Sequence, residues 1–366
     1  AGALREAGVR PGDRVTVQAE KSFAGVALYL AVLRVGAVYQ PLNTAYTEAE
    51  FAYFVGDAEP RVLVCDPARA EALAGIAAEH DARLLTLDAI GTGTLTDAAR
   101  NAQPAPIAAR DDDDLAAVLY TSGTTGRSKG AMLTHGNLLS NARTLRRGWG
   151  WREDDVLVHA LPIHHVHGLF VALHCALLEP GTLWFLARFD AARVLALLPE
   201  ATVYMGVPTH YVRLLAEPAL DHARCASMRL FVSGSAPLRP ETFAAFEART
   251  GHRILERYGM TEAGMITSNP LDGARVPGSV GYPLPDVEVR LRTPDGAAVD
   301  ADGAGVLEVR GPNVFTGYWR MPERTASDFR DGWFVTGDLA TRDPDGRVHI
   351  VGRHRDLIIS GGLNVY

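Results

Sequence analysis

Alternation between short β-branched runs and helix-period segments constrains this chain more than any other feature of its sequence. Residues 14–19 (RVTVQA), 61–65 (RVLVC), 156–160, 182–186, 202–206 and 229–233 read as strands. Residues 22–36, 47–56, 191–198, 211–216 and 241–250 read as helices. Strands joined in this way by helices build parallel sheets covered on both faces. After about residue 269 the pattern changes. Segments 287–292 (VEVRLR), 305–310, 333–336 and 347–351 alternate apolar and polar positions, as a half-buried antiparallel meander does. The turn signals Pro294-Asp295-Gly296, Asp302-Gly303, Asp331-Gly332 and Pro344-Asp345-Gly346 separate them. Residues 88–114, rich in Ala, Gly, Pro and Asp, read as a surface connection.

With 366 residues, 47% hydrophobic and 22% charged, the chain is long enough for two or three units and too apolar for wholesale disorder. Its 36 Lys and Arg against 43 Asp and Glu leave a net charge of −7. That balance argues against nucleic acid and anionic lipid as partners, since both reward basic excess. No apolar run approaches the roughly 20 residues of a membrane helix, and no charged-then-apolar leader opens the chain. Cys65, Cys175 and Cys225 are odd in number and far apart, which points to a reducing, cytoplasmic setting. The chain ends at Tyr366, just after a Gly-Gly pair, and reads as a fragment. Oligomeric state has no signature here.

The strongest local signal is Tyr120-Thr-Ser-Gly-Thr-Thr-Gly-Arg-Ser-Lys129-Gly130, which leaves the apolar strand 115–119. Small hydroxyl residues and glycines let backbone N–H groups converge on an anion, and Lys129 adds a mobile charge. Phosphate is the natural ligand. The spacing is not that of a Walker A loop, because Lys129 stands three positions after Gly126 and a glycine follows it.

This loop resembles the phosphate loop of the adenylate-forming superfamily, which comprises acyl-CoA synthetases, luciferases and peptide-synthetase adenylation domains. The segments Leu161-Pro-Ile-His-His-Val-His-Gly168, Val232-Ser-Gly-Ser-Ala-Pro237, Glu256-Arg-Tyr-Gly-Met-Thr-Glu262, Thr336-Gly-Asp338 and Gly352-Arg-His-Arg-Asp356 follow in the family's order. The resemblance implies an α/β fold with two parallel-sheet subdomains (1–110 and 111–269) and a distorted β-barrel subdomain (270–352). Residues 353–366 would be a hinge, pivoting at Arg355, and the start of a small C-terminal domain that is missing. The family's adenylation lysine lies in that domain, so slow adenylation is expected.

The resemblance also assigns roles. Thr121, Ser122, Gly123, Thr124, Thr125, Gly126 and Lys129 would bind ATP phosphates. Ser235, Ala236, Glu256, Tyr258, Gly259, Met260 and Thr261 would line the nucleotide, with Tyr258 facing adenine. Asp338 would take the ribose hydroxyls and Arg353 ribose and phosphate. Glu262 would ligate Mg2+, and Thr261, Glu262, Lys129 and His165 would be catalytic. Coenzyme A would be the second substrate. His165 and His167 would share a face if their segment were a strand. A zinc site needs three or four ligands, and no Cys, Asp or Glu lies close in sequence to His164, His165 and His167. For His164 the plainer reading is a satisfied buried histidine.

The acyl substrate is written in Met205-Gly-Val-Pro-Thr-His-Tyr-Val-Arg213. An arginine buried there would be a costly uncompensated charge unless a second carboxylate on the substrate paired with it. A solvent-facing helical arginine is the generic alternative. Taken with Gly-Pro-Asn-Val-Phe-Thr-Gly-Tyr-Trp-Arg-Met-Pro-Glu, the segments are similar to those of malonyl-CoA synthetases. In that family His167, Arg213 and Ser235 would hold the distal carboxylate, beside Met265. Ile266 stands where the family often has Asn, which leaves malonate and methylmalonate both open. Loss of Arg213 is then expected to abolish malonate-dependent pyrophosphate release. Two other readings compete: an adenylate former for a different acid, and a nucleotide-binding module without turnover.

Overall fold

The computed structural model describes residues 1–121, 128–178, 181–300 and 303–353, with backbone alone at 358–360 and 363–365. It divides into two compact units. Unit 1 comprises Ala1–Leu138, Pro162–His165 and Phe315–Pro322; unit 2 comprises Leu139–Leu161, Val166–Val314 and Glu323–Tyr366.

Unit 1 is built on a seven-stranded sheet. Strands β1 (Arg14–Gln18), β2 (Val38–Pro41), β3 (Val62–Cys65), β4 (Arg83–Thr86) and β5 (Leu115–Thr121) run parallel. β6 (Lys129–Thr134) turns back antiparallel on β5, and β16 (Gly317–Tyr318) adds antiparallel to β6. The order is β16-β6-β5-β2-β1-β3-β4. Every residue of β3 is buried, as its unbroken apolar run requires of a strand covered on both faces. The helix Phe23–Arg34 starts at Ser22, whose Oγ accepts the Gly25 N–H at 3.1 Å. Thr47 and Glu50 form a capping box on Glu48–Ala58.

Unit 2 holds a second sheet, in the order β13-β12-β11-β10-β9-β7-β8. β7 (Val156–His159), β8 (Thr182–Phe185), β9 (Val203–Gly206), β10 (Leu230–Ser233) and β11 (Leu255–Met260) are parallel. β12 (Gly264–Ser268) returns antiparallel on β11, and β13 (Tyr282–Pro283) follows it. The rings of Tyr204, Tyr211, Phe231 and Phe246 fill the core beside this sheet, with Phe231 and Phe246 edge to face at 4.9 Å. An antiparallel sheet completes the unit: β14 (Glu288–Arg292), β15 (Gly305–Arg310), β17 (Phe329–Arg330), β18 (Trp333–Arg342) and β19 (Val348–Arg353). Glu308 is wholly buried in it and accepts from Arg290 at 2.7 Å and Arg330 at 2.8 Å.

Two mainly parallel sheets and one antiparallel sheet are the architecture expected from the sequence. Three details differ. β5 and β6, expected to open the second α/β subdomain, complete the sheet of unit 1. Within 88–114 a helix forms at Thr94–Asn101, anchored by buried Leu95. The segment holding His164 and His165 is a turn, and His167 opens a fully buried π-helix, His167–Leu173. His165 and His167 therefore share no strand face. Among the described residues, no helix is long and apolar enough to cross a membrane.

Candidate active site

In unit 1, Thr121 and Lys129 face each other across the β5–β6 ladder, and the Thr121 hydroxyl donates to the Lys129 carbonyl at 3.5 Å. The phosphate loop thus joins two antiparallel strands. Ser122, Gly123, Thr124, Thr125 and Gly126 lie outside the described residues, as does Arg355. Lys129 Nζ rests 4.1 Å from the centroid of the Tyr318 ring, a cation–π seat supplied by β16. Tyr53 fixes the loop's exit by donating to the Ser128 carbonyl at 2.7 Å. His165 is exposed in its turn, its ring 4.5 Å from that of half-buried His164.

In unit 2 the motif Glu256–Glu262 is β11 and the turn after it. The Tyr258 hydroxyl donates to the Asp338 carboxylate, and Arg353 Nε pairs with Asp338 Oδ1 at 2.8 Å. Asp338 is further fixed by its own N–H, which donates to Thr336 Oγ1 at 3.1 Å. Burial pushes the Asp338 carboxyl above its ordinary range, against the pull of Tyr258 and Arg353. Glu256 is 4% exposed, and its Oε1 accepts the Leu238 N–H at 2.9 Å. Burial raises that carboxyl to about 7.

Thr261 is half-buried and Glu262 buried in the β11–β12 turn, next to half-buried Met260. Two buried amides that no sequence signal marked hold this hairpin. Asn141 accepts the Met265 N–H at 3.1 Å and donates to its carbonyl at 2.9 Å. Asn313 donates to the Ala263 carbonyl at 2.6 Å. A bulge between Tyr258 and Gly259 turns the strand, and a Cβ at Gly259 would come within 2.5 Å of Met265 Cε.

The residues expected to meet the acyl group are only partly gathered. His167 is buried, with Nδ1 3.2 Å from Ser235 Oγ, although the two lie 68 positions apart. Ser235 and Ala236 are exposed at the exit of β10, and Ser235 holds φ 71°, a left-handed conformation rare for a serine. Burial and, next, the charge of Arg257 keep the His167 imidazole neutral. Arg213, expected to be buried, is exposed on the helix Pro208–Leu215, whose Tyr211 and Leu214 take the inward face. Its guanidinium lies 4.8 Å over the Phe189 ring. His210 stacks on that same ring at 3.8 Å and joins the Tyr204 hydroxyl at 2.9 Å. Met265 is buried. Among the described residues, no three His, Cys, Asp or Glu side chains are arranged to hold a metal ion.

Unit 2 offers hydroxyls and a carboxylate–tyrosine–arginine cluster, and unit 1 a loop lysine, each a group suited to part of a nucleotide. Residues 1–319 match the family described as AMP-binding enzymes. The ATP-bound crystal structure of MatB from Rhodopseudomonas palustris is 55% identical, with a TM-score of 0.97 over 99% of this chain and 73% of that one. Feruloyl-CoA synthase of an Amycolatopsis species is 39% identical over 371 residues, 100% of this chain and 73% of the relative. Malonate–CoA ligase of Arabidopsis thaliana is 37% identical over 379 residues, 97% of this chain and 62% of the relative. The chain belongs to the AMP-binding enzymes, as an adenylate-forming acid–CoA ligase.

Proposed function

We propose that this ligase activates malonate, with methylmalonate as an admissible variant. The carboxylate attacks the α-phosphate of ATP, giving malonyl-adenylate and pyrophosphate; coenzyme A then displaces AMP to give the thioester. The supporting observation is the His167–Ser235 pair, which sets two side chains suited to a carboxylate against each other from distant parts of the chain. The similarity to a malonate–CoA ligase points the same way.

In this reading Lys129 and residues 121–126 neutralise phosphate charge, while Thr261 orients the α-phosphate for in-line attack. Tyr258, with Gly259 and Met260, lines adenine, and Ser235, Ala236 and Glu256 border the nucleotide. Asp338 and Arg353 hold the ribose. Glu262 is a hard oxygen donor, fit to supply one ligand to a Mg2+ held mostly by substrate phosphates. His165 borders the reacting acyl group. His167, Ser235, Arg213 and Met265 form the acyl subsite. A cytoplasmic setting suits the three buried free cysteines.

The similarity to feruloyl-CoA synthase favours a second reading, an aryl acid. Against it, an aromatic tail would meet the buried His167 Nε2, which has no hydrogen-bond partner among the described residues. Calorimetric titration of malonate, methylmalonate, acetate and ferulate, in the presence of AMP, tests the choice. Malonate is expected to bind at least about 100-fold tighter than acetate, because a site built for two carboxylates leaves its polar groups unpaired around one. Equal affinity for acetate, or preference for ferulate, would refute the malonate reading.

A further inference from the structure

We propose that Tyr53 is a positioning residue for Lys129, fixing the main chain from which that lysine reaches the outer phosphates of ATP. The inference rests on the reading of Lys129 as a phosphate-binding group and adds to it a residue from outside the phosphate-loop motif. Lysine is a compact charge on a flexible four-carbon stem, so the place of its ammonium depends on how backbone and stem are held. The β5–β6 ladder ends at this residue. Its last pair is Thr121 and Lys129, where the Thr121 hydroxyl reaches the Lys129 carbonyl at 3.5 Å, the outer limit of a hydrogen bond. Ser128 lies one residue beyond, outside β6. The Tyr53 hydroxyl donates to its carbonyl at 2.7 Å, across 75 positions of sequence.

The helix Glu48–Ala58 serves both strands from one face. Tyr53 and Asp57 stand four positions apart and are therefore neighbours on the helix surface. Tyr53 takes the exit side through Ser128, and the Asp57 carboxylate accepts from the Tyr120 hydroxyl on β5. Asp57 is tied in turn: its carbonyl accepts from Trp319 Nε1 at 3.0 Å, and the Trp319 N–H donates to the Gly130 carbonyl at 2.7 Å. These contacts close over Gly130, where an added Cβ would come within 2.8 Å of Val118 Cγ1 and 3.2 Å of Tyr120 Cζ. A glycine directly after the lysine is what lets them approach. At the far end of the stem, the ammonium sits 4.1 Å over the Tyr318 ring. Two tyrosines from distant parts of the sequence thus hold the main chain and the charge, and all these residues belong to unit 1.

A lysine held at both ends loses less freedom when phosphate arrives, and that saving appears as affinity. It falls only on a ligand that the lysine touches. ATP carries β- and γ-phosphates, and AMP does not. Tyr53 therefore sharpens the preference for the nucleotide that must enter over the one that must leave. Removing its hydroxyl tests this cleanly, because phenylalanine keeps the ring that packs at 5.3 Å from Phe54 and 6.5 Å from Tyr120.

The experiment is calorimetric titration of ATP and of AMP into wild type, Tyr53→Phe, Lys129→Met and the double variant. Tyr53→Phe is expected to raise the ATP Kd roughly three- to tenfold, the worth of one hydrogen bond, and to move the AMP Kd by less than about twofold. Lys129→Met is expected to raise the ATP Kd at least about tenfold. Added to Lys129→Met, Tyr53→Phe should cost less than about twofold more, since a residue acting through Lys129 then has nothing left to position. Parallel losses of ATP and AMP affinity in Tyr53→Phe would mark a purely structural role and overturn the proposal. Unchanged ATP affinity in Tyr53→Phe overturns it too, as does the full loss recurring in the Lys129→Met background. An ATP Kd unaltered by Lys129→Met would instead refute the phosphate-binding reading of Lys129 itself, before Tyr53 is considered.

Discussion

Replacing Glu256 with Gln is expected to stabilise the protein above neutral pH rather than weaken it. The side chain is almost wholly buried, one oxygen serves the Leu238 N–H, and the other has no partner among the described residues. Its carboxyl is lifted from an ordinary 4.5 to about 7, chiefly by desolvation. Below 4.5 the folded and unfolded states both hold the proton, and the group contributes no pH dependence. Above 4.5 the unfolded chain releases it while the folded one keeps it, so stability falls as pH rises, until the folded group also ionises near 7. A rise of that size corresponds to a loss of up to about 3 kcal/mol across the window. Gln keeps the acceptor oxygen and cannot ionise, so this slope should disappear. Urea unfolding of apo wild type and Glu256→Gln, at a series of values from about pH 4.5 to 8, reads the difference directly. The variant should be the more stable by 1–3 kcal/mol, roughly, at pH 8. A variant less stable than wild type at that pH would refute the reasoning, since it would mean that Glu256 is ionised and supports Arg257 electrostatically.

Three further outcomes are expected. Asn141→Ala removes both hydrogen bonds to the Met265 main chain and should cost about 2–3 kcal/mol in thermal or urea unfolding, with weaker ATP binding as the Thr261–Glu262 turn loosens. An ATP Kd equal to wild type would show that the turn does not need this support. Glu308→Ala strands two arginines around a buried void and should cost about 3–5 kcal/mol in urea unfolding; a loss below about 1 kcal/mol would contradict the pairing. Asp338→Asn keeps the shape but removes the charge facing Arg353, and is expected to weaken ATP binding roughly tenfold by calorimetry, with malonate binding in AMP-free protein unaltered. Unchanged ATP affinity would remove Asp338 from the ribose site.

The strands were legible because their runs are apolar over four or more residues and end at turn residues, which only a covered sheet satisfies. The segment 167–173 was not, since an unbroken apolar stretch carries no period to tell strand from helix. For Arg213 the motif assignment suggested burial, although the helical period itself places Tyr211 and Leu214 inward and Arg213 outward. Arg257 sits inside a recognisable motif, yet only three-dimensional packing reveals that it is buried with Nε and Nη2 unbonded among the described residues. Asn141 and Asn313 are isolated amides in sequence; their use appears once the main chain of residues 263–265 is brought against them.

The short strand β16 imposes an order on the protein's birth. Its pairing with β6 sets Tyr318 against Ala131, 187 positions earlier in the chain, and Tyr318 is also the ring on which Lys129 rests. A ribosome adding roughly 5–20 residues per second needs on the order of 10–40 s to deliver the closing strand after β6 has emerged. Through that interval the outer edge of β6 is an unpaired template, open to strand addition by another nascent chain. The phosphate-loop lysine lacks its aromatic seat for just as long. Nucleotide capture by Lys129 should accordingly be a late event in synthesis, and translation arrested before residue 318 should leave a chain that depends on chaperones to keep that edge covered.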